Sequence, residues 1–455
     1  MLKGPLSGTG VYIDFFNAPL ISHLRTPYFL THFHTDHMVG LKKGWAHGPL
    51  YCSQITACLL VGVMGVDPEV VYERDVDQPF QVIDPLTSAS LTATLVDAGH
   101  CPGSVMVVLE DLHGGNMSLV HTGDFRWHDG LGHNVALQRV ASSMQCDKLY
   151  LDTSWAHQAF QQLPTKETSI SKLLDLINGF PYERIILHSH GLGDEDLLWG
   201  VAKRFPNDRF LFGDAKRLGE INIVMSDPCD MSNVSIGRAM IGLRQFAVLD
   251  VSNADHVDLE KQRFFVVKDH SQKIGLGLQG IEISCSTLWW ACQSGGQHAI
   301  NARCEPIQDK KTRVWHVLYA MHSSLSELQE LVGWLGPRSL EGICPVIHGG
   351  QRPDMDVLFQ GLTRPAMHKS LPADPHNQSF GSIQSDEQAQ AKDLYKRMMA
   401  STQPYIDERR KRSRKNLQAI CQQSSAATDL MVLATAENAD GDADDLLDLL
   451  TAGQF

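Results

Sequence analysis

Apolar residues in the first 155 positions form short runs that end in polar or glycine-containing turns. Short apolar runs bounded by turn residues are typical of buried strands. The pattern predicts an α/β region, with a helix over residues 53–63. The predicted strands of this region span residues 28–30, 50–52, 91–96, 117–120 and 148–151.

The pattern changes between about residue 156 and residue 310, where strand-like and helix-like runs alternate. Apolar residues recur at helical spacing over residues 170–177 and again over 197–205. Alternation of this kind predicts a small parallel α/β domain. Its predicted strands span residues 184–188, 210–212, 246–249, 264–267 and 281–284.

The last part of the chain has a different composition. Beyond about residue 370, Pro, Gln, Ser and Ala dominate, and we predict a largely disordered tail over residues 371–455. A dense basic run at residues 409–415 indicates nuclear import or phosphate contact, with a solvated disordered face as the alternative. Acidic residues and leucines mix over residues 444–450, as in a short docking peptide. We therefore expect the tail to bind partner proteins.

Composition describes an ordinary soluble protein, since 43% of the 455 residues are hydrophobic and 20% are charged. No apolar run has the length of a membrane span, and we expect no membrane association. The ten cysteines include no C-x-x-C pair, which indicates a reducing compartment. The net charge is −13, and it is −6 without residues 416–455. Charge alone neither supports nor excludes a nucleic-acid substrate.

Potential metal ligands are concentrated directly after the first predicted strand. They are His32, His34, Asp36 and His37. Side chains alternate along an extended segment, so the first two project to one side, and the last two follow the turn. One short loop can therefore serve two adjacent metal ions, and ligands of these types favour zinc over manganese or iron. Because the chain has 21 histidines, a histidine-rich surface loop is the alternative.

Two later segments add ligands after predicted strands, at residues 97–104 and 121–126. The spacing of all these segments resembles the metallo-β-lactamase superfamily. Cys-Pro-Gly-Ser at 101–104 and Asp-Phe-Arg at 124–126 are more specific, and resemble the β-CASP DNA nucleases of the Pso2/Apollo/Artemis type. The resemblance is nearest to the Apollo-like 5′ exonucleases, and it covers residues 1 to about 155 and resumes near residue 310.

The resemblance implies an α/β fold, a metallo-β-lactamase αββα sandwich with an inserted α/β β-CASP domain. The first part of the lactamase domain would span residues 1–155, and the β-CASP domain residues 156–310. The lactamase domain would resume over residues 311–370, followed by the tail over 371–455.

The resemblance also implies a ligand set for one or two zinc ions. His32, His34 and His100 would bind one ion, and Asp36, His37 and His322 the other. Asp124 would bridge the two ions. Asp14 and Asp152 would support the ligands without binding metal, and Asp36, His37, Asp124, Asp152 and His322 are the residues expected to be catalytic. His322 lies in a His-Ser-Ser segment before a helix, which Ser324 and Glu327 are predicted to cap.

The activity implied is a zinc-dependent phosphodiesterase, a 5′-to-3′ DNA exonuclease that processes cross-links or ends in the nucleus. Its expected partners are DNA, single-stranded or as duplex ends, and repair proteins bound through the tail. An RNA-processing β-CASP endonuclease is opposed by Val346, because RNA-cleaving members carry histidine there. An Artemis-like DNA endonuclease and a non-catalytic scaffold are further alternatives, and the complete ligand set opposes the scaffold. The inserted domain opposes a small-molecule hydrolase.

Apollo-like enzymes anchor a 5′-phosphate beside the metals, and we expect that pocket at Thr153, Ser154, Gly191 and Gly193. A helix start such as the one after Gly193 can hold a phosphate through backbone N–H groups. Relatives commonly carry lysine directly after the second glycine, but this chain carries Asp194. An aspartate repels a phosphate that a lysine attracts. We therefore expect a weaker preference for a 5′-phosphate, which Asp194→Lys would strengthen.

Overall fold

A computed structural model describes nine stretches of the chain: residues 4–17, 26–112, 117–143, 146–189, 191–225, 246–248, 261–292, 305–344 and 354–364. All lie within the first of two compact units, Met1–Tyr395. Val346, the basic run at 409–415 and the tail predicted over 371–455 lie outside the described residues.

The strands of the described residues are numbered in chain order. They are β1 Tyr12–Ile13, β2 Tyr28–Phe29, β3 Leu50–Ser53, β4 Val71–Arg74, β5 Phe80–Ile83, β6 Ser90–Asp97, β7 Val105–Leu112, β8 Met117–His121, β9 Cys146–Leu151, β10 Ile185–His188, β11 Phe210–Phe212, β12 Phe246–Val248, β13 Phe264–Val267, β14 Ile281–Cys285, β15 Ile307–Gln308, β16 Trp315–Val317 and β17 Ser339–Gly342.

The helices are numbered in the same way, and a short 3₁₀ helix also spans Gln158–Phe160. They are α1 Gln54–Gly62, α2 Asp129–His133, α3 Val135–Ser143, α4 Lys166–Asn178, α5 Glu195–Arg204, α6 Ala215–Met225, α7 His270–Gly275, α8 Leu288–Cys292, α9 Leu325–Leu335 and α10 Met355–Leu358. Among the described helices, none is long and apolar enough to cross a membrane.

Two sheets form the centre of the first domain. One has the strand order β1-β2-β3-β4 and is parallel throughout. The other has the order β17-β9-β8-β7-β6-β5. Because β7 is antiparallel to both β6 and β8, while β8, β9 and β17 are parallel, four strands run in one direction. The carboxyl ends of β6, β8, β9 and β17 therefore meet at one edge of this sheet.

The two sheets pack face to face with helices on their outer sides. Along β7, Val107 and Leu109 face the four-stranded sheet and pack in one cluster with Phe29 and Tyr51. The alternate residues of β7 pack against α3 and α9 on the other face. Helix α1 covers the outer face of the four-stranded sheet. The period of two along each strand thus produces a helix–sheet–sheet–helix arrangement.

The region after residue 156 forms a separate seven-stranded sheet of order β12-β11-β13-β10-β14-β16-β15. All neighbouring pairs are parallel except β15 with β16. Ile185 and Leu187 of β10 pack in one cluster with α4, α5 and α6, whereas Ile186 faces the opposite side. The prediction of an α/β fold is confirmed, and the parallel pairing expected for this region is present.

One boundary differs from the sequence pattern. The first domain was expected to resume at residue 311, but β16 pairs with β14 inside the seven-stranded sheet. The reason is the apolar run that begins at Val314, because it is long enough to supply a buried strand before the chain crosses back. The crossing follows Val317 and leads to His322 and α9.

Helix α9 begins with the capping box that the sequence predicts. Ser324 Oγ accepts a hydrogen bond from the N–H of Glu327, and Glu327 Oε2 accepts one from the N–H of Ser324 at 2.7 Å. This capping box satisfies two backbone donors that the first turn leaves free. The helix ends at Gly336, whose φ of 49° lies in the left-handed region.

Leu331 of α9 is fully buried in the core between that helix and the six-stranded sheet. Replacing Leu331 by alanine leaves a cavity, so we expect a loss of about 2–5 kcal/mol in the free energy of unfolding. Val135, at the start of α3, is 71% exposed, and Val135→Ala should change stability by less than about 0.5 kcal/mol. Urea denaturation measures both variants. Equal midpoints would contradict the assignment of α9 to the core.

Candidate metal centre

The loop that carries the first four ligand candidates is fixed by Asp14. Its Oδ1 accepts a hydrogen bond from the Thr31 N–H at 2.8 Å, and its Oδ2 accepts one from Thr31 Oγ1 at 2.7 Å. Oδ2 also lies 2.7 Å from His37 Nδ1. Asp14 is buried with a φ of 52°, a conformation uncommon outside glycine. These contacts hold it there, and they orient His37.

A first group of side chains brings together three histidines and one carboxylate, with ligand atoms all within 4.8 Å of one another. His34 Nδ1 lies 2.9 Å from His32 Nε2 and 3.3 Å from His100 Nε2. Asp124 Oδ2 lies 3.8 Å from His32 Nε2 and 4.0 Å from His100 Nε2. This group has the composition that the sequence predicted for one ion.

Asp124 also belongs to two further groups, one with Asp36 and His37 and one with Asp152 and His322. His37 Nε2 lies 3.2 Å from Asp124 Oδ2 and 3.7 Å from Asp36 Oδ2. The Asp36 side chain is 67% exposed, whereas those of His37 and Asp124 are buried. The structure therefore gathers every predicted ligand around the Asp124 carboxylate, and solvent reaches the centre on the Asp36 side.

Each of the five imidazoles has its other ring nitrogen beside an oxygen atom. The pairs are His32 Nδ1 with Thr31 Oγ1 at 3.0 Å, His34 Nε2 with the Leu192 carbonyl at 2.9 Å, His37 Nδ1 with Asp14 at 2.7 Å, His100 Nδ1 with the Met321 carbonyl at 2.9 Å, and His322 Nδ1 with Asp152 at 2.8 Å. Thr31 Oγ1 donates to Asp14, so it accepts from His32. In its neutral form, each ring therefore turns a lone pair inwards.

Such a set fits a metal ion. In these tautomers the inward nitrogens of His32 and His34 face each other at 2.9 Å with no proton between them. A cation offsets this repulsion, and ligation by one nitrogen with hydrogen bonding by the other is the usual arrangement of metal-bound histidine. Burial also lowers the pKa of His32 and His100 well below the ordinary value, so both rings are neutral.

The groups around Asp124 and His322 carry charge. Burial opposes ionisation of Asp124, but His37 and His322 hold its pKa well below the ordinary value. Burial likewise opposes protonation of His322, yet Asp152 and Asp124 raise its pKa to about 9. Asp124 is therefore ionised at neutral pH, the form in which a carboxylate binds a metal ion.

The Asp152 carboxylate makes four contacts. Its Oδ2 lies 2.8 Å from His322 Nδ1 and accepts from the Phe125 N–H at 3.2 Å, and its Oδ1 accepts from the Ser154 N–H at 2.9 Å. The Cys344 thiol also donates to Oδ1 at 3.1 Å. Sequence reasoning missed Cys344, because nothing local relates residue 344 to residue 152. These contacts hold the Asp152 carboxylate beside His322, and its role as the support of a metal ligand stays a prediction.

Comparison with known proteins gives close matches among curated sequences. DNA cross-link repair protein SNM1 of Arabidopsis thaliana is 27% identical over 368 residues, which cover 79% of this chain and 69% of that protein. 5′ exonuclease Apollo of Mus musculus is 30% identical over 370 residues, which cover 81% of this chain and 58% of that protein. DNA cross-link repair protein pso2/snm1 of Schizosaccharomyces pombe is 30% identical over 236 residues, covering 49% of this chain and 40% of that protein.

The chain is similar to curated proteins of the SNM1/Pso2/Apollo type, at 24–30% identity. The resemblance read from residues 101–104 and 124–126 is therefore confirmed. The chain spans about three fifths of the mouse protein's length and two fifths of the Schizosaccharomyces pombe protein's. No family model matches the sequence. A solved protein of unknown function from Enterococcus faecalis V583 aligns with a TM-score of 0.42 and 11% identity, covering 70% of this chain and 75% of that one, which is too low to support an argument.

Arg126 ties the candidate metal centre to the region after residue 156. Its guanidinium is buried, with Nη1 donating to the His322 carbonyl at 3.0 Å and Nη2 donating to the Pro164 carbonyl at 3.0 Å. Nη2 also lies 3.1 Å from Glu327 Oε1. Arg126 thus contacts the chain at Pro164, where it leads into the seven-stranded sheet, and at His322, where it returns. Sequence reasoning used Arg126 only as a family marker.

The residues proposed for the phosphate pocket differ in whether their polar groups already have hydrogen-bond partners. Thr153 and Ser154 are buried after β9, close to Asp152. The Gly193 N–H, in contrast, already donates to Glu195 Oε2 at 2.6 Å, and its carbonyl accepts from the Tyr319 hydroxyl at 2.9 Å. This backbone donor, which the sequence suggested for a phosphate, is occupied.

The charge expected beside this pocket needs a correction. Sequence reasoning treated Asp194 and Glu195 as acids that would repel a phosphate. In the structure both carboxylates pair with the buried Arg217 guanidinium. Their charge is therefore partly offset, and Asp194→Lys would place a second cation against Arg217 rather than simply attract phosphate.

Because Asp152 orients His322, we expect Asp152→Asn to weaken metal binding by about 10–100-fold. The amide cannot hold the imidazole through the same charged contacts. Metal content by mass spectrometry, after dialysis against a graded chelator, measures the change. Asp129→Asn, at the exposed start of α2, is the control and should retain the metal content of the unmodified chain. Equal metal retention by both variants would contradict the role of Asp152.

Proposed function

We propose that the chain is a metal-dependent DNA nuclease that hydrolyses phosphodiester bonds in DNA repair, acting as a 5′-to-3′ exonuclease. The observation that carries the proposal is the convergence of five imidazoles on the Asp124 carboxylate, each with its outer nitrogen beside an oxygen. The names of the relatives, 5′ exonuclease Apollo and DNA cross-link repair protein, support the substrate and the direction.

The cofactor we propose is zinc, as one or two ions, because imidazole and carboxylate ligands suit it. His32, His34 and His100 would hold one ion, and Asp36, His37 and His322 the other, with Asp124 shared between them. Two such ions, when bound, supply a nucleophile near neutral pH and offset the charge of a phosphate.

The residues of the chain then have separate tasks. Asp14 and Asp152 fix the rings of His37 and His322 through hydrogen bonds of 2.7 and 2.8 Å. The exposed Asp36 lies at the open side of the centre, so we place the scissile phosphate there. Preorganised ligands of this kind need little rearrangement when the substrate binds.

DNA is favoured over RNA by the relatives rather than by a contact of Phe125 or Arg126. Phe125 is fully buried in the core, and Arg126 contacts backbone carbonyls and Glu327. These two residues therefore support the structure around the site and are not placed to contact a DNA or RNA strand. Val346, the other residue that favoured DNA, lies outside the described residues. We further propose a nuclear location, with repair-protein partners bound through the tail.

His37→Ala removes a ligand of the second group, and we expect it to reduce cleavage of DNA by orders of magnitude while the protein remains folded. The measurement is digestion of matched DNA and RNA oligonucleotides, each labelled at one end. His133→Ala, at an exposed position of α2, is the control and should cleave like the unmodified chain. Shortening of DNA from the 5′ end supports the proposal. Unchanged cleavage by His37→Ala, or by chelator-treated protein, would contradict the proposal of a metal-dependent nuclease. Internal cuts would favour an Artemis-like endonuclease.

The occupied Gly193 N–H and the acids beside it give a second expectation. We expect the rate on a 5′-phosphorylated oligonucleotide to exceed the rate on its 5′-hydroxyl counterpart only weakly. Asp194→Asn, which removes one negative charge without adding a cation beside Arg217, should raise the ratio of the two rates by about threefold. A strong phosphate dependence that Asp194→Asn leaves untouched would place the anchor elsewhere, for example at Ser154.

A further inference from the structure

Two rings of the three-histidine group are held by carbonyls that belong to the inserted domain and its return crossing. The Leu192 carbonyl, between β10 and α5, accepts from His34, and the Met321 carbonyl, after β16, accepts from His100. Both contacts are 2.9 Å long. The first domain supplies the ligands, but it does not by itself complete their orientation.

The two carbonyl-bearing segments also pack on each other at Gly193. The Tyr319 hydroxyl donates to the Gly193 carbonyl at 2.9 Å. Gly193 has a φ of 115°, and a Cβ added to it would overlap the Met321 sulfur. A side chain at this position would therefore strain the backbone at its positive φ and would displace the Met321 side chain.

Arg217 of α6 fixes the ends of the Leu192 segment from the opposite side. Its Nε donates to Ser189 Oγ at 2.9 Å, directly after β10. Its Nη2 pairs with Glu195 Oε1 at 2.7 Å and with Asp194, at the start of α5. The guanidinium is buried, so the three contacts are made away from water. A planar fork with several donors holds such partners in one geometry, which a lysine cannot do.

We propose that Arg217 is a positioning residue for the metal centre. It holds the Leu192 carbonyl against His34 Nε2, and so keeps the inward nitrogen of His34 aimed at the other ligands. The inference rests on the proposed metal centre, and it adds a dependence of metal affinity on a side chain of the inserted domain. Partners that orient a ligand histidine change metal affinity when removed.

The test uses the full chain and Co²⁺, whose visible absorption reports coordination by histidine. Because Arg217 acts through one carbonyl, we expect Arg217→Gln to weaken Co²⁺ binding by about tenfold. Arg217→Lys should give an intermediate affinity. Arg263→Gln is the control, since Arg263 belongs to the same domain but contacts the Phe180 carbonyl and the rings of Phe205 and Phe264. It should bind Co²⁺ as the unmodified chain does.

Arg217→Gln leaves Asp194 and Glu195 buried with less compensation, so a second variant perturbs the same segment without altering charge. We expect Gly193→Ala also to weaken Co²⁺ binding by about tenfold. Gly219→Ala in α6 is its control, because an added Cβ there meets no atom within 4 Å. Urea denaturation of the metal-free chain identifies variants that fail to fold. If Arg217→Gln fails to fold, the Co²⁺ affinity of Gly193→Ala is the test that remains.

Folded Arg217→Gln or Gly193→Ala protein that binds Co²⁺ as tightly as the unmodified chain overturns the role of Arg217. An unmodified chain that binds no Co²⁺ overturns the metal centre itself, and the proposed function with it. The two failures are therefore distinguishable in one titration series.

Discussion

The metal centre depends on keeping five imidazole rings aimed at one buried carboxylate, Asp124. The neutral rings of His32, His34 and His100 turn lone pairs towards one another, which is repulsive, and burial denies them water. The arrangement is stable only if each ring is held from behind by an acceptor and the lone pairs meet a cation in front. The acceptors are two carboxylates, one hydroxyl and two backbone carbonyls. Much of the surrounding structure serves to place those five oxygen atoms.

The direction of the strands positions most of the loops that carry the ligands and their hydrogen-bond partners. The strands β6, β8, β9 and β17 all end at the same edge of the six-stranded sheet. The residues that follow them include His100, Asp124, Asp152 and Cys344. The facing sheet delivers the loop with the first four ligands, and Asp14 locks that loop through Thr31. Two sheets with a shared core can hold such loops rigidly, because their strands are packed on both faces.

The region that contains the seven-stranded sheet also contributes to the candidate metal centre. Its Leu192 carbonyl accepts a hydrogen bond from His34. The Arg126 guanidinium donates to the Pro164 carbonyl and to the His322 carbonyl. Lys166, at the start of α4, donates to the His100 carbonyl at 3.0 Å and lies near Asp196 of α5. Contacts from both domains therefore converge on the same few residues. A change in the packing between these two regions would therefore alter the orientation of the ligand side chains.

The sequence by itself determined many local features: strands such as β3, β6, β8, β9 and β10, the helix α1, the capping box of α9, and the ligands spaced within residues 32–37. These follow from short-range periodicity and from hydrogen bonds between near neighbours. Tertiary structure alone decided that Leu192 holds His34 across 158 residues, that Cys344 contacts Asp152 across 192, and that β16 joins the inserted sheet. It also decided that Asp194 is paired with Arg217, which offsets part of the repulsion that its position in the sequence suggested. Such contacts depend on how distant segments pack, and no local pattern of residues encodes that packing.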